Sequence, residues 1–328
     1  MATVRKWAIT WDGINPDPGT YEAAYSSMNA WLSANPEPYD LVTADEQWHI
    51  EIFNGFESGG VDIVTGPLSI YSNDNDGDYV AGQYIRLAAA PGHEYVYPSN
   101  SKDAHLNFFN FNSCLRISGS IPWVIENLHV SGLDVRESVI RIVTGVDQPF
   151  FVDRCYMEVG ADELAIDSSA ESEAAGAKVS NTIIRDYTTQ NDQLYLFDTE
   201  NVTYYGAGTP ARVARAGNHV NTCIYAPDAT DCFVSSTQAN CASSDDSADL
   251  VINITDAEFQ SSDGSDMRLA PTSQLIGAGA NLNPKSYNKD IMGNLWPASA
   301  AWDIGAHYQA GGAEPVTKPN PLFFGQDF

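Results

Sequence analysis

The acidic residues of this sequence have the type and spacing that acid–base chemistry requires. Breaking a glycosidic bond requires two carboxyl groups about 5–10 Å apart, one of them kept protonated by its surroundings. Positions two apart on a strand, or equivalent positions on neighbouring strands, provide that spacing. The candidates by type are Asp162, Glu163, Asp167, Asp186, Asp198 and Glu200. With 43 acidic residues, such pairs also arise by chance, and basic residues that would bind an acidic sugar are scarce. We therefore predict a protein without catalytic residues.

A second acidic group lies in a glycine turn. The segment SNDNDGDY (72–79) places Asp74, Asp76 and Asp78 around Gly77. Alternate carboxylates in such a turn can bind Ca²⁺ through oxygen ligands, but the EF-hand positions are not filled. A solvated loop tip is the favoured interpretation, with calcium binding as the open alternative. The histidines show no paired spacing, so the sequence predicts no transition metal and no cofactor.

The charge balance excludes several functions. Sixteen basic residues against 43 acidic residues give a net charge of −27. Nucleic-acid binding requires Lys and Arg to displace counterions, so DNA and RNA are not expected partners. The apolar runs, such as residues 84–90, are shorter than a membrane helix, and the first ten residues contain no apolar signal core. Five cysteines without a C-x-x-C pair predict reduced thiols in a chain folded in a cytosol.

Residues 1–104 form a mixed N-terminal segment in this interpretation. KWAIT (6–10) has the pattern of a short strand, and EQWHIEIFNGFE (46–57) alternates apolar and polar residues as a half-buried strand does. Residues 20–34 carry apolar side chains at offsets of three and four, which predicts an amphipathic helix. We expect a strand–helix cap followed by short strands.

From residue 105 onward a repeated pattern indicates a solenoid. Aligning the turn residues gives steps of 27, 27, 20 and 20 residues for Asn127, Arg154, Asn181, Asn201 and Asn221. Periods of this length are typical of stacked coils with one shared core, although a β-sandwich is the alternative. Asn tolerates left-handed backbone and its amide can form a ladder along the stack. The residues expected at or near the core are Leu128, Cys155, Ile183, Val202 and Ile224.

The C-terminal part carries a family resemblance. The segments TSQLIGAGANL (272–282), KDIMGN (289–294) and WDIGAHYQ (302–309) together resemble the closing segment of right-handed parallel β-helix repeat proteins. The resemblance implies an all-β fold, a right-handed parallel β-helix over residues 105–309. Residues 310–328 then follow as an extended tail, in which Leu322, Phe323, Phe324 and Phe328 are the predicted partner-binding residues.

The opening of the chain also resembles β-helix proteins of tailed-bacteriophage virions. It shares with them a strand, a helix bearing Trp31, the run from Leu41 to Glu46 and the piece from Arg86 to His93. The resemblance implies a non-enzymatic virion protein, assembled in the host cytoplasm, that decorates the capsid exterior as a cement protein or head fibre. Its expected partners are the major capsid protein or tail proteins and further copies of itself, with a homotrimer favoured. The alternatives are a tail fibre or tailspike that binds or cleaves host polysaccharide and, less favoured, a bacterial surface adhesin.

Overall fold

Short strands make up most of the regular structure. The computed structural model describes residues 3–10, 13–35, 46–53, 61–64, 68–72, 84–94, 105–108, 115–119, 122–132, 139–142, 150–160, 166–167, 177–188, 192–210, 212–250, 252–285 and 288–309. The elements in chain order up to residue 159 are β1 (Thr3–Ile9), β2 (Ala23–Tyr25), α1 (Met28–Ala34), β3 (Glu46–Ile52), β4 (Val61–Val64), β5 (Leu68–Ser72), β6 (Ile85–Ala89), β7 (His105–Phe108), β8 (Leu115–Gly119), β9 (Trp123–Glu126), β10 (His129–Gly132), β11 (Ile140–Ile142), β12 (Phe150–Asp153) and β13 (Tyr156–Val159). The later strands are β14 (Ile166–Asp167), β15 (Lys178–Ser180), β16 (Ile183–Asp186), β17 (Leu194–Tyr195), β18 (Asp198–Glu200), β19 (Thr203–Gly206), β20 (Arg212–Arg215), β21 (Asn218–Val220), β22 (Cys223–Tyr225), β23 (Asp231–Val234), β24 (Thr237–Ala239) and β25 (Ala242–Ser243).

The strands form three sheets in which the neighbours pair in parallel. The first sheet has the order β2-β1-β3-β6-β9-β12-β15-β18-β21-β24, the second β25-β22-β19-β16-β13-β10-β7-β4, and the third β23-β20-β17-β14-β11-β8-β5. From β3 onward, neighbours in a sheet are three strands apart in the chain. The chain therefore passes through each sheet once per coil and returns one strand further along. The protein is an all-β parallel β-helix, as the sequence predicted.

The interior between the sheets is filled by matching positions of successive coils. In the first sheet one such row contains Ile50, Leu87, Ile125, Val152 and Val179, all fully buried and joined in register. Each coil alone would expose this face, so stacking is what removes it from water. Of the residues predicted for the core, Leu128, Cys155, Val202 and Ile224 lie in this main cluster.

The turn between the first and second sheets explains the repeat seen in the sequence. Asn127, Arg154, Asn181, Asn201 and Asn221 all have left-handed backbone, with φ between 46° and 58°. The side-chain amide of Asn201 donates to Asn181 Oδ1 at 3.1 Å, and that of Asn221 donates to Asn201 Oδ1 at 3.0 Å. The predicted left-handed turns and the amide ladder are confirmed. Asn240, with φ 57°, is a further member that the sequence comparison missed.

The N-terminal helix is shorter than predicted. Residues 23–25 pair with β1 as strand β2, and the helix begins only at Met28. Ser27 sets this start, because its extended backbone stops the helix and its hydroxyl accepts the Ala30 N–H at 3.0 Å. Met28 and Trp31 are fully buried, and the Trp31 ring meets Trp7 and Trp48 edge to face. The helix thus covers core residues of the first strands.

The coils begin earlier in the chain than the predicted boundary at residue 105. Strand β1 pairs with β3 over seven residues, β3 pairs with β6, and β6 pairs with β9. Residues on both sides of position 105 therefore belong to one continuous sheet. The irregular loop composition before residue 105 concealed this register.

The last coil is closed by polar side chains. The backbone N–H groups of Cys232 and Cys241 donate to Asp245 Oδ2 and Asp249 Oδ1, both at 2.7 Å. Phe233 N–H donates to Ser247 Oγ at 3.0 Å. These carboxylate and hydroxyl oxygens take the place of a further strand, and they block pairing of this edge with another sheet.

The C-terminal segment, residues 252–309, does not continue the coils as predicted. Its described residues form isolated bridges and one 3-10 turn (Asp256–Glu258) instead of paired strands. They pack outside the second sheet and form a second apolar cluster with the outward side chains of Ile183, Tyr205, Cys223 and Ala242. Ile183, predicted for the shared interior, therefore belongs to this outer cluster.

The Asp-Ile-Gly-Ala motif is the point where this segment contacts the coils. Gly305 N–H donates to the Asn221 carbonyl at 2.8 Å, and Ala306 N–H donates to Thr203 Oγ1 at 2.9 Å. A Cβ on Gly305 would lie 2.6 Å from that hydroxyl, so only glycine allows the approach. Asp303 holds the motif by accepting the Gly277 N–H at 2.7 Å. The motif is a docking device, and the sequence had suggested a closing strand.

Candidate functional site

Three of the acidic residues considered for catalysis have side chains that the structure describes, namely Asp186, Asp198 and Glu200, and these three are each held by separate structural partners. Asp186 is fully buried and accepts hydrogen bonds from the Tyr204 hydroxyl and from Thr188 N–H. Burial raises the pKa of Asp186, although these donors oppose the rise. Its strand β16 lies in the second sheet, whereas Asp198 and Glu200 lie on β18 in the first. Asp186 is therefore a structural residue.

Asp198 and Glu200 lie two positions apart, yet each is held by its own partners. Asp198 Oδ1 accepts from the backbone and side chain of Asn218 in the next coil, at 2.8 and 3.0 Å. Glu200 binds the ammonium groups of Lys178 at 2.8 Å and Lys285 at 3.3 Å. Glu200 therefore links strand β18 to the preceding coil through Lys178 and to the C-terminal segment through Lys285.

The other predicted site residues cannot be placed. Asp162 and Glu163, the possible calcium ligands Asp74, Asp76 and Asp78, and the tail residues Leu322, Phe323, Phe324 and Phe328 lie outside the described residues. For Asp167 the structure gives the backbone of strand β14 only. Within the described part of the chain, no three His, Cys, Asp or Glu side chains are placed to hold a metal ion.

A row of ion pairs runs along the outer face of the first sheet; we call it the ion-pair strip (Lys6, Glu51, Arg86, Glu126, Asp153 and Arg154). Glu51 contacts Lys6 at 3.3 Å and Arg86 at 3.4 Å. Arg86 Nε donates to Glu126 Oε1 at 2.6 Å, and Arg154 contacts Glu126 at 3.4 Å and Asp153 at 2.8 Å. Glu126 is fully buried. Because Glu51 and Glu126 each contact basic side chains from neighbouring coils, the strip links successive coils in register.

Sequence reasoning missed this strip. A local signal exists, since Glu126, Asp153 and Glu200 each immediately precede a left-handed turn residue. The pattern places an acidic side chain at the same outward position in several coils. The basic residues that face these carboxylates come from coils up to 45 positions away in the chain, and this register is not visible in the sequence.

A mixed cluster on the second sheet has the residue types of an acid–base site. The Glu158 carboxylate lies 2.9 Å from His129 Nε2 and accepts the Tyr156 hydroxyl at 3.0 Å. Arg185 is near it, stacked over the Tyr187 ring at 4.9 Å, and donates to the Asp263 carbonyl. Burial would raise the pKa of Glu158, but the His129 and Tyr156 hydrogen bonds lower it below the usual range.

The hydrogen bonds of Glu158 are satisfied within this cluster, which is typical of a structural network and not of an acid–base site. Both oxygens of Glu158 are engaged, and the lowered pKa keeps the carboxylate ionised. The network links successive strands of the second sheet at the margin of the C-terminal segment. Its geometry supports stabilisation of that margin.

The described cysteines are buried free thiols. Cys155, Cys223, Cys232 and Cys241 make no disulfide with one another. Burial raises the pKa of Cys155, Cys223 and Cys241 to about 12, so these thiols are protonated and unreactive at neutral pH. The sequence predicted Cys155 as a small core residue, and its position in the main cluster confirms this prediction. None of the helices in the described ranges is long and apolar enough to cross a membrane.

Comparisons with known proteins give one distant structural likeness. No protein-family model matches the chain, and no curated protein matches it. A crystal structure of the pectate lyase Pel9A is similar, with a TM-score of 0.27 and 13% identity over 94% of this chain and 98% of that chain. The fold assignment rests on the parallel register of the three sheets, and the function must be argued from the residues of this chain.

Proposed function

We propose that the protein is a non-enzymatic structural component of a bacteriophage virion, a capsid decoration or cement protein or a head fibre on the particle exterior. The observation that carries the proposal is the ion-pair strip. It ties the coils of a continuous solenoid together over strands β1 to β12 and uses buried charges for stacking instead of chemistry. A rigid rod with a polar cap on its last coil suits a load-bearing surface protein. The resemblance of the opening segment to virion β-helix proteins supports the same role.

The charge of the chain suggests how it would attach. A net charge of −27 disfavours nucleic acid and favours docking on a basic surface of a capsid or tail protein. The tail residues Leu322, Phe323, Phe324 and Phe328 supply the apolar area for that contact or for a homotrimer. Each could contribute about 1.5–3 kcal/mol if buried on a partner.

A second candidate function is a tail fibre or tailspike that binds host polysaccharide. One specific observation favours it, namely the two partly exposed arginines, Arg212 and Arg215, on strand β20 of an otherwise acidic protein. The carboxylate arrangements described above favour binding over cleavage.

Deletion of the gene distinguishes the two candidates. Particles that lack a decoration protein are expected to adsorb to cells normally and to break at a lower temperature or after milder osmotic shock. Particles that lack a tailspike are expected to keep their heat resistance and to lose adsorption. Unchanged particles on both measures would contradict both candidates.

A further inference from the structure

The later part of the C-terminal segment presents no carboxylate to solvent where the structure describes it, although the chain has a net charge of −27. The acidic residues between positions 269 and 309 are Asp290 and Asp303, and both are buried, with exposed fractions of 0% and 2%. The charged side chains that reach the surface here are those of Lys285 and Lys289, each partly buried. We call the outward side of residues 269–285 and 288–309 the neutral face.

The neutral face is also apolar. Leu295 is 49% exposed, and Ala298 and Ala300, which follow it in the chain, are exposed as well. The buried rings of Trp296 and Trp302 stack with their centroids 5.0 Å apart and support these exposed residues. Neighbouring exposed apolar residues rimmed by polar surface are typical of a site of protein–protein contact.

Hydrogen bonds join the parts of the neutral face into one surface. Gly279 N–H donates to the Trp302 carbonyl at 2.8 Å, which places the two ends of the range side by side. The side-chain amide of Asn281 donates to the Ala300 carbonyl at 2.6 Å and holds the exposed alanine loop against the preceding residues. Because the surface is already ordered, a partner that binds it would pay little for fixing its conformation.

The charge distribution favours a second copy of the chain as the partner at this surface. Exposed carboxylates lie elsewhere in the described residues, for example Asp228, Asp231, Asp246 and Asp249 around the last coil. Charges more than about 8 Å apart are largely screened at physiological ionic strength, so the charge at the contact itself decides whether two acidic copies repel. A basic partner would instead be attracted to those aspartates and repelled by the lysines of the neutral face.

We infer that copies of this chain associate with one another through the neutral face. The inference goes beyond the proposed function, because the association belongs to the purified chain and requires no particle. The surface is also continuous with the predicted partner-binding tail. Gln309 N–H donates to Asp303 at 2.6 Å, and the ring of the preceding Tyr308 lies 5.6 Å from that of Trp296. Residues 310–328 therefore begin beside the neutral face, where a second copy would contact them.

Sedimentation velocity of the purified full-length chain over a series of concentrations tests this inference. We expect the wild type to form a species larger than the monomer, and Leu295→Asp to weaken the association at least about tenfold. Val4→Asp is the matched control, because Val4 is 47% exposed on strand β1 of the first sheet, and this variant should associate as the wild type does. Association should tighten as salt rises, because salt screens the repulsion between acidic copies and leaves an apolar contact intact.

Four results would overturn the inference. These are a wild type that stays monomeric at every concentration, unchanged association of Leu295→Asp, equal weakening in Val4→Asp, and association that weakens as salt rises, which would place the contact on the charged surfaces. Circular dichroism checks that each variant folds, and Ala300→Glu replaces Leu295→Asp if that variant does not, because Ala300 is exposed. Association of a chain that is absent from virions would refute the proposed function alone, and a monomeric virion protein would refute the inference alone.

Discussion

Replacing Asn201 by alanine is expected to lower the free energy of unfolding by about 3 kcal/mol. Asn201 is fully buried in the middle of the amide ladder, where it donates to Asn181 and accepts from Asn221. Each neutral hydrogen bond contributes about 1 kcal/mol net. The partners keep other bonds, Asn181 from the Trp296 indole and Asn221 to the Ala280 carbonyl, so no full desolvation penalty is added. The remaining contribution of about 1 kcal/mol comes from alanine at a φ of 55°.

The glycine variant separates the two contributions. Asn201→Gly loses the same hydrogen bonds but adopts the left-handed turn without strain, so we expect a loss of about 2 kcal/mol. Asn218→Ala is the control, because Asn218 is exposed and bonds to Asp198 at the surface, and it should change stability by less than about 0.5 kcal/mol. Equilibrium urea unfolding followed by circular dichroism measures all three. Equal losses for alanine and glycine, or losses as small as that of Asn218→Ala, would refute the ladder argument.

Three further predictions follow from the packing, the histidines and the tail. Ile184→Asp places a charge in the main core and should prevent soluble folding. Ile183→Asp should leave the coils folded and make residues 252–309 sensitive to limited proteolysis. Soluble Ile184→Asp protein together with insoluble Ile183→Asp protein would show that the register is wrong. Burial lowers the pKa of His49 to about 3 and the pKa values of His219 and His307 to about 4, whereas a histidine in the unfolded chain has a pKa of 6.5. The stabilisation is therefore complete above pH 6.5 and is lost as the pH falls. At pH 5 the loss is about 2 kcal/mol for each histidine. Burial raises the pKa of Asp290 to about 6, so protonation of this group adds stability as the pH falls and partly offsets the histidines. We expect the midpoint of urea unfolding to decrease from pH 7.5 to pH 5, and an unchanged or higher midpoint at pH 5 would contradict the prediction. Deleting residues 315–328 should leave a folded β-rich protein that fails to oligomerise or to attach to particles, as measured by sedimentation; unchanged assembly would show that the tail is not a partner-binding segment.

The features that the sequence predicted are those fixed by local backbone requirements. A left-handed turn selects Asn repeatedly at positions such as Asn181, Asn201 and Asn221, so the period of the coils is visible in the chain. The same rule identifies Asn240, which follows Asn221 by one residue less than the preceding step of 20.

The features that the sequence did not predict depend on partners distant in the chain. Ile183 lies two positions after its turn residue, whereas Leu128 and Cys155 lie one position after theirs, and this offset of one residue reverses the side of the sheet. The docking role of Gly305 and Ala306 depends on Thr203 and Asn221, about 80 to 100 residues earlier.

Microscopy of labelled particles tests the proposed function most directly. Purified virions would be treated with gold-labelled antibody raised against this chain and imaged in negative stain, with particles from a gene deletion as the control. The structural proposal predicts regularly distributed gold on the capsid exterior of wild-type particles and none on the deletion particles. Gold confined to the tail would favour the polysaccharide-binding fibre, and intact virions that carry no gold and no peptide of this chain would contradict a virion role.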